Sequence, residues 1–563
     1  MPATIYSSIE ESRAIFDLLC DLGDAVALPP AIQDIRHNVK FTSSRNLPYF
    51  PIPFKESETA SALKALEGCV ASALADLKGG DGPRERAITV NLENATNFLF
   101  QAYVATVGGY GKLDKGVKSM LKDTDLLQAQ SDPYRRMSAN LYETKDPGEY
   151  YHIHGSLEAS TTLRMIGLEP FRPDLRDHPA IVETIEGAVK KFTIPQLEQL
   201  NAENRQAGIK AFKHEDFLKT PHGKANQSLP PWQITNLENV TPPSPLPNPQ
   251  NKQILSGIKV LELCRIIAGP TITRILGEYG ADVIKITSPT LSDVPFFQVD
   301  GNMGKHAAEL DLKSAVDRKI FEKLLEGVDI IVDGYRPGAI EKLGYGVNGL
   351  TELAKRRGKG IVYVNENCFG YEGEWANRAG WQQIADCVSG VAWEQGRFMG
   401  LTEPVVPPFP ISDYGTGCIG AIAALTGLYQ RSTCGGSWHG KVSLLHYDLL
   451  LFKVGLLPQG IQDELRTLAG PEFLALRHSH SVDQISGTTL LNMKKQFPKL
   501  FDKRLFCEKW YSEKYNADVV VVKPVVEIEG VESGFKMGSR PNGSDIPSWD
   551  FEEEKDYRKE IAE

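Results

Sequence analysis

The side chains best placed to do chemistry lie in two short stretches. In Ile411-Ser-Asp-Tyr-Gly-Thr-Gly417, Asp413 stands just ahead of a run of glycines and alanines. A carboxylate there reads locally as the N-cap of a helix, accepting backbone N–H bonds. The second stretch, Arg265-Ile-Ile-Ala-Gly269, precedes Pro270 at the start of another helix. Such a helix N-terminus can receive a phosphate. His152 and His154 share one strand face, but no third ligand accompanies them, so they read as a polar strand face and no metal is expected. The eight cysteines form no C-x-x-C pair, which argues against a zinc ribbon or a thioredoxin-like site. Cys418, without a histidine in any recognisable arrangement, reads as a buried structural thiol.

These stretches need elements to hold them. Residues 258–263 alternate as a strand, and Ile272, Ile275, Leu276 and Tyr279 mark one face of a helix closed by Gly280. A second strand follows at 281–286, completing a βαβ unit. The alternation continues with a helix whose start, Ser314-x-x-Asp317, resembles a capping box. A strand at 328–332, a helix over 339–357 and a strand at 361–364 come next. Strands alternating with helices predict a parallel, doubly wound sheet, with ligands at the carboxyl ends of its strands near a switch in strand order. No G-x-G-x-x-G follows the first strand, so a dinucleotide fingerprint is absent. Residues 228–252 carry seven prolines, which predicts an extended connector without continuous helix or central strand. Before it, helices are expected around 10–22, 60–77 and 181–211, with strands near 86–92 and 150–153. Beyond the alternating region, 519–522 reads as a strand and the charged run 550–559 as a solvated helix.

The 563 residues are 41% hydrophobic and 24% charged, which rules out disorder across the chain. A net charge of −10, from 62 basic and 72 acidic residues, argues against a nucleic-acid or anionic-membrane partner. The longest near-apolar run, 417–428, is too short to span a bilayer. No basic and then apolar block opens the sequence, Ile561-Ala-Glu563 is no peroxisomal or ER address, and the scattered thiols suit a reducing compartment. The expectation is a cytoplasmic enzyme.

Several phrases, in order, resemble the family III CoA-transferases, also called the CaiB/BaiF or formyl-CoA-transferase-like family. They are Val260-Leu-Glu-Leu-Cys-Arg-Ile-Ile-Ala-Gly-Pro270 and Leu276-Gly-Glu-Tyr-Gly-Ala-Asp-Val-Ile-Lys-Ile286, then Asn302-Met-Gly-Lys305 with Glu309-Leu-Asp-Leu-Lys313. Tyr335-Arg-Pro-Gly-Ala339 with Leu343-Gly-Tyr-Gly346, Cys368-Phe-Gly370 and the Asp413 phrase complete the set. The resemblance implies an α/β fold with a Rossmann-like, doubly wound CoA-binding domain and a smaller α+β lid domain. It implies that coenzyme A moves between an acyl-CoA thioester and a small carboxylic acid through a covalent intermediate on Asp413, with N–H groups near Gly415 and Gly417 binding the oxyanion. It places CoA against Ile267 and Ala268, with Lys305, Tyr335, Arg336, Ala339 and Lys342 as further contacts, the cations pairing with phosphates. Members are interlocked homodimers, so a homodimer is implied.

The sequence departs from the family in four places. Trp381 stands where the racemase branch has a proton-transferring histidine, which disfavours racemase chemistry. Gln382 stands where transferase members have a carboxylate. Lys285-Ile-Thr287 replaces the usual Lys-x-Glu, and no glycine-rich covering loop is found. The alternatives are therefore an acyl-CoA racemase or isomerase, and a CoA-binding member without activity. The first 230 residues resemble the family's later portion, through Ala87-Ile-Thr-Val-Asn-Leu-Glu-Asn-Ala95, Tyr150-Tyr-His-Ile-His-Gly155 and His214-Glu-Asp-Phe-Leu-Lys-Thr-Pro-His-Gly-Lys224. Lys441-Val-Ser-Leu-Leu-His446 echoes the first of these. The chain thus reads as a degenerate tandem that could act as a monomeric fused pseudo-dimer. Its parts are a helical N-terminal remnant (1–85), a lid-like small domain (86–235), a proline-rich linker (236–252), a Rossmann-like catalytic domain (253–455) and a C-terminal region (456–563).

Overall fold

A seven-stranded sheet sets the frame of the computed structural model, which describes residues 6–80, 85–247, 250–551 and 558–561. Its strands are β1 (Trp232–Glu238), β2 (Lys259–Leu263), β3 (Asp282–Thr287), β4 (Lys305–Glu309), β5 (Ile330–Asp333), β6 (Val362–Asn367) and β7 (Ser437–Ser443). They lie in the order β4-β3-β2-β5-β6-β7-β1. All neighbours are parallel except β7 and β1. Without β1 this is the Rossmann order, whose switch point falls between β2 and β5. Val260 of β2 pairs with Val283 of β3 on one side and Ile330 of β5 on the other.

The helices that matter to the site are α1 (Glu56–Gly79), α2 (Ala268–Glu278), α3 (Gln382–Ser389), α4 (Ile411–Thr433) and α5 (Leu444–Val454). Helix α2 buries Ile272, Ile275 and Leu276 completely, the face its sequence spacing predicts, each contributing about 1.5–3 kcal/mol. It packs on α4, and α4 packs on α1. The small residues of α4 serve this contact. A Cβ at Gly417 would overlap Thr271, and one at Gly420 would overlap Ile272.

The echo between the two halves is a repeated supersecondary unit. Helix α4 leads into β7 and then α5, capped by the Ser443 hydroxyl, which accepts from His446 N–H at 3.2 Å. Helix α1 leads into the strand Ile88–Asn91 and the helix Leu92–Phe98, capped by Asn91, which accepts from Asn94 N–H at 2.9 Å. The first unit does not join the large sheet. Ile88–Asn91 lies between Val39–Thr42, parallel, and Val526–Ile528, antiparallel. The five-stranded sheet likewise joins the two ends of the chain, with Cys507–Ser512 and Ala517–Val522 beside Thr106–Val107. A third small sheet, Ala139–Glu143, Tyr150–His154 and Ile209–Lys210, packs its own core of Tyr142, Tyr151, Ile153, Leu163 and Leu197.

Three local readings differ from the structure. The connector is partly β1, an edge strand between clusters of prolines, a position that leaves the central ladder intact. The helix expected over 181–211 is two, His178–Val189 and Ile194–Asn204, because Pro195 starts a new first turn. Of the charged run 550–559, residues 552–557 lie outside the described residues, and Arg558–Lys559 pairs as a strand with Cys507–Ser512. His152 and His154 do share one strand face, their rings stacked at 5.5 Å, and both are buried. Among the described residues, no three His, Cys, Asp or Glu side chains converge on a metal site, and no helix is long and apolar enough to cross a membrane.

Candidate active site

Helix α4 begins at Ile411 with Pro410 as its N-cap, so Asp413 is the third helical residue and not the cap. Its carboxylate has no hydrogen-bond partner among the described residues. Burial, and then the charge of Asp448, push its pKa up to about 8, and no cation offsets them. An uncommitted carboxylate of this kind is available as a nucleophile, which a capping one is not.

Asp413 lies in the wall shared by two cavities. The smaller, about 330 Å³, sits at the carboxyl ends of β2, β3, β5 and β6 and is lined by Arg265, Ala268, Ser292, Tyr335, Arg336 and Glu366. Here Arg265 donates from Nη1 to the Ser292 carbonyl at 2.8 Å and lies 5.6 Å over the Tyr335 ring. The larger, about 450 Å³, opens on the other side of Asp413, where aromatic and aliphatic side chains share the walls with charged ones such as Lys112, Lys118, Arg136 and Asp483. Ile266, Ile267, Ser156, Leu157 and Trp381 border both. Ile266 adopts φ +70°, an outlier for a β-branched residue of the kind that concentrates at functional sites.

Beneath Asp413 lies a buried carboxyl pair with no cation beside it. The Ser412 hydroxyl lies 2.8 Å from an oxygen of Asp386 and 2.8 Å from one of Asp448, and Ser389 donates to the other oxygen of Asp448 at 2.9 Å. The Gln382 amide nitrogen donates to the second oxygen of Asp386. Burial raises both carboxyls, Asp448 to about 7 and Asp386 well above its ordinary value. Burial, and for Asp386 the neighbouring charge of Asp448, thus favour the protonated forms. Glu366, at the end of β6, is raised to about 8 by burial and then by Asp413.

The small sheet closes the site from the side. The Trp381 indole N–H donates to the Ser156 hydroxyl at 2.8 Å, and its ring stacks on His154 at 5.8 Å. His154 Nδ1 accepts from the Ser156 N–H at 2.9 Å. Burial holds this imidazole neutral, its pKa well below the usual value.

Of the residues expected at the site, the structure gathers Asp413, Gln382, Ile267, Ala268, Tyr335 and Arg336 around the two cavities. Four others lie elsewhere. Lys305 is fully buried, donating to Glu262 at 2.8 Å and to the Pro270 carbonyl at 2.7 Å. It neutralises an acid inside the sheet and lines neither cavity. Ala339 and Lys342 lie past the loop, Ala339 donating to the Arg336 carbonyl at 2.9 Å and Lys342 exposed on the short helix Glu341–Leu343. Gly415 is in the second turn of α4, where its N–H belongs to the helix ladder, and its bare Cα makes room for the Tyr447 ring. The donors left without a backbone acceptor in the first turn are the N–H groups of Ser412 and Asp413.

The sequence did not single out Glu366, Ser156, Leu157 or Arg265 as individual site residues. Arg265 stood inside a phrase already noted. Nothing local marks the other three, because they arrive from different strands and loops.

The sequence model of CoA-transferase family III matches residues 255–467. An acetyl-coenzyme A transferase of Hypoxylon pulicicidum is 33% identical over 553 residues, 95% of this chain and 91% of that protein. An acyl-CoA transferase of Gibberella moniliformis is 33% identical over 415 residues, 72% of each protein. The solved structure of a CaiB/BaiF family protein from Brucella suis shares 19% identity, covers 51% of this chain and 96% of its own, and superposes with a TM-score of 0.36. The family match and the relatives together define an enzyme of the CoA-transferring class. The chain belongs to CoA-transferase family III.

Proposed function

We propose that the enzyme moves CoA between an acyl-CoA thioester and a free carboxylic acid, with Asp413 as the covalent relay. The observation that carries this reading is the unbonded Asp413 carboxylate in the wall common to both cavities. The polar cavity at the strand ends suits the CoA arm, with Arg265 and Arg336 as its cations for phosphate and the α2 N-terminus behind Ile267 and Ala268. The larger cavity suits the acyl group and the acid.

Asp413 attacks the thioester carbonyl, forming an acyl–aspartyl anhydride and releasing the CoA thiolate. The thiolate attacks the Asp413 carbonyl, which frees the first acid and leaves an aspartyl thioester. The incoming carboxylate attacks that thioester, giving a second anhydride and the thiolate again. The thiolate takes the new acyl group, and Asp413 returns as a carboxylate. The Ser412 and Asp413 N–H groups are the available donors to the oxyanions of these steps. Trp381, with its indole N–H on Ser156, has no titratable group to offer a racemase.

Both cavities draw walls from residues 103–157 and from residues 265–413 of the same chain. This supports a site complete without a second subunit.

Incubation with acetyl-CoA followed by hydroxylamine should trap a hydroxamate at Asp413, found by peptide mass spectrometry. Asp413→Asn should lose the adduct and at least about a thousandfold in kcat while still binding CoA. Full activity in Asp413→Asn would refute the covalent relay.

A further inference from the structure

We propose that the acid exchanged at Asp413 is a carboxylic acid with a bulky apolar body, held in the larger cavity. This rests on the transfer reading above and adds the substrate class. The cavity is about 450 Å³, within the range of pockets that enclose drug-sized ligands and well beyond the needs of an acetyl group. Tyr103, Leu121, Leu157, Phe296, Phe297 and Trp381 form its walls. Apolar and aromatic walls of that extent reward burial of hydrocarbon and leave a short polar acid surrounded by empty or wet space.

Four cations also line this cavity, Lys112, Lys118, Lys122 and Arg136. Lys112 is closed on Asp483 at 2.6 Å, and its ammonium stands 5.0 Å over the Tyr103 ring and 5.7 Å over that of Phe297. Arg136 lies 3.8 Å from the other oxygen of Asp483. Lys112 and Arg136 thus share one carboxylate, and Lys118 is exposed at the cavity edge. Lys122 is likewise engaged, with Glu309 at 3.3 Å and the Asn542 carbonyl at 2.8 Å. The cavity surface across Asp413 is nonetheless more polar on the strand-end side and more apolar on the other.

The test is a competition among acetate, octanoate, 4-phenylbutyrate and glutarate as acceptors, with acetyl-CoA as donor and product acyl-CoA read by mass spectrometry. Each methylene buried is worth about fourfold. Octanoate and 4-phenylbutyrate should exceed acetate and glutarate in kcat/KM by at least a hundredfold. Val294→Trp, which places a ring in the cavity wall, should cut the octanoate-to-acetate ratio at least tenfold, its folding checked by melting temperature. Brisk transfer that favours acetate or glutarate, or a ratio unmoved in a folded Val294→Trp, overturns this inference and leaves CoA transfer standing. No transfer to any acid and no trapped Asp413 adduct overturns both.

Discussion

The pH dependence of turnover follows directly from where Asp413 sits. Its carboxyl is desolvated, faces the charge of Asp448 and has no cation or hydrogen-bond donor to favour ionisation, so its pKa lies at about 8. In the proposed relay the nucleophile is the ionised form. With that pKa the reactive fraction is about 1% at pH 6, about 9% at pH 7 and half at pH 8. Initial rates at low acyl-CoA, read as kcat/KM from pH 6 to 9.5, should climb about fiftyfold between pH 6 and 8 and then level. Asp448→Asn removes a charge that raises Asp413, so its rising limb should move to lower pH. Stability should run the other way. A carboxyl whose folded pKa is raised contributes stability that is fully present below its unfolded value near 4 and is lost as pH rises through about 8. Asp413→Asn should therefore gain on the wild type between pH 5.5 and 8.5, by about 3 kcal/mol. A kcat/KM profile flat from pH 6 to 8, or an Asp448→Asn limb that moves to higher pH, would refute the assignment of the desolvated carboxyl as nucleophile.

Other perturbations separate structural from functional roles. Lys305→Ala leaves Glu262 buried with its close partner gone and should cost about 3–5 kcal/mol, seen as a lower melting temperature. Arg336→Ala, at an exposed position, should leave the melting temperature within a degree or two and weaken CoA binding by about tenfold in calorimetry. The reverse pattern would restore Lys305 as the CoA contact. Gly415→Ala drives a methyl into the Tyr447 ring, whose hydroxyl donates to Glu56 at 2.7 Å, and should destabilise the fold by about 1–3 kcal/mol in denaturant titration. If the site is complete in one chain, specific activity should stay constant on dilution through any dimer–monomer transition followed by light scattering.

The sequence by itself determined the frame and singled out Asp413 as the candidate reacting group. The βαβ periodicity around residues 258–286 is local, set by which faces of β2, α2 and β3 are apolar, so it reads directly. The phrase around Asp413 is equally local, and so is the small-residue run that lets α4 reach α2. Only the tertiary structure decided what each polar side chain does once enclosed. Lys305 and Arg336 are indistinguishable as cations in a list, yet one ends inside the sheet against Glu262 and the other at the cavity mouth. Asp413 reads as a cap until the helix starts two residues earlier, at Ile411, and leaves its carboxylate unbonded. His154, Ser156 and Leu157 reach the site from about 250 residues away in sequence, because the small sheet packs beside α3 and Trp381. Hydrophobic periodicity fixes which face of an element is buried, but the partner of a buried charge is chosen by long-range packing, and that is where the chemistry of this site was settled.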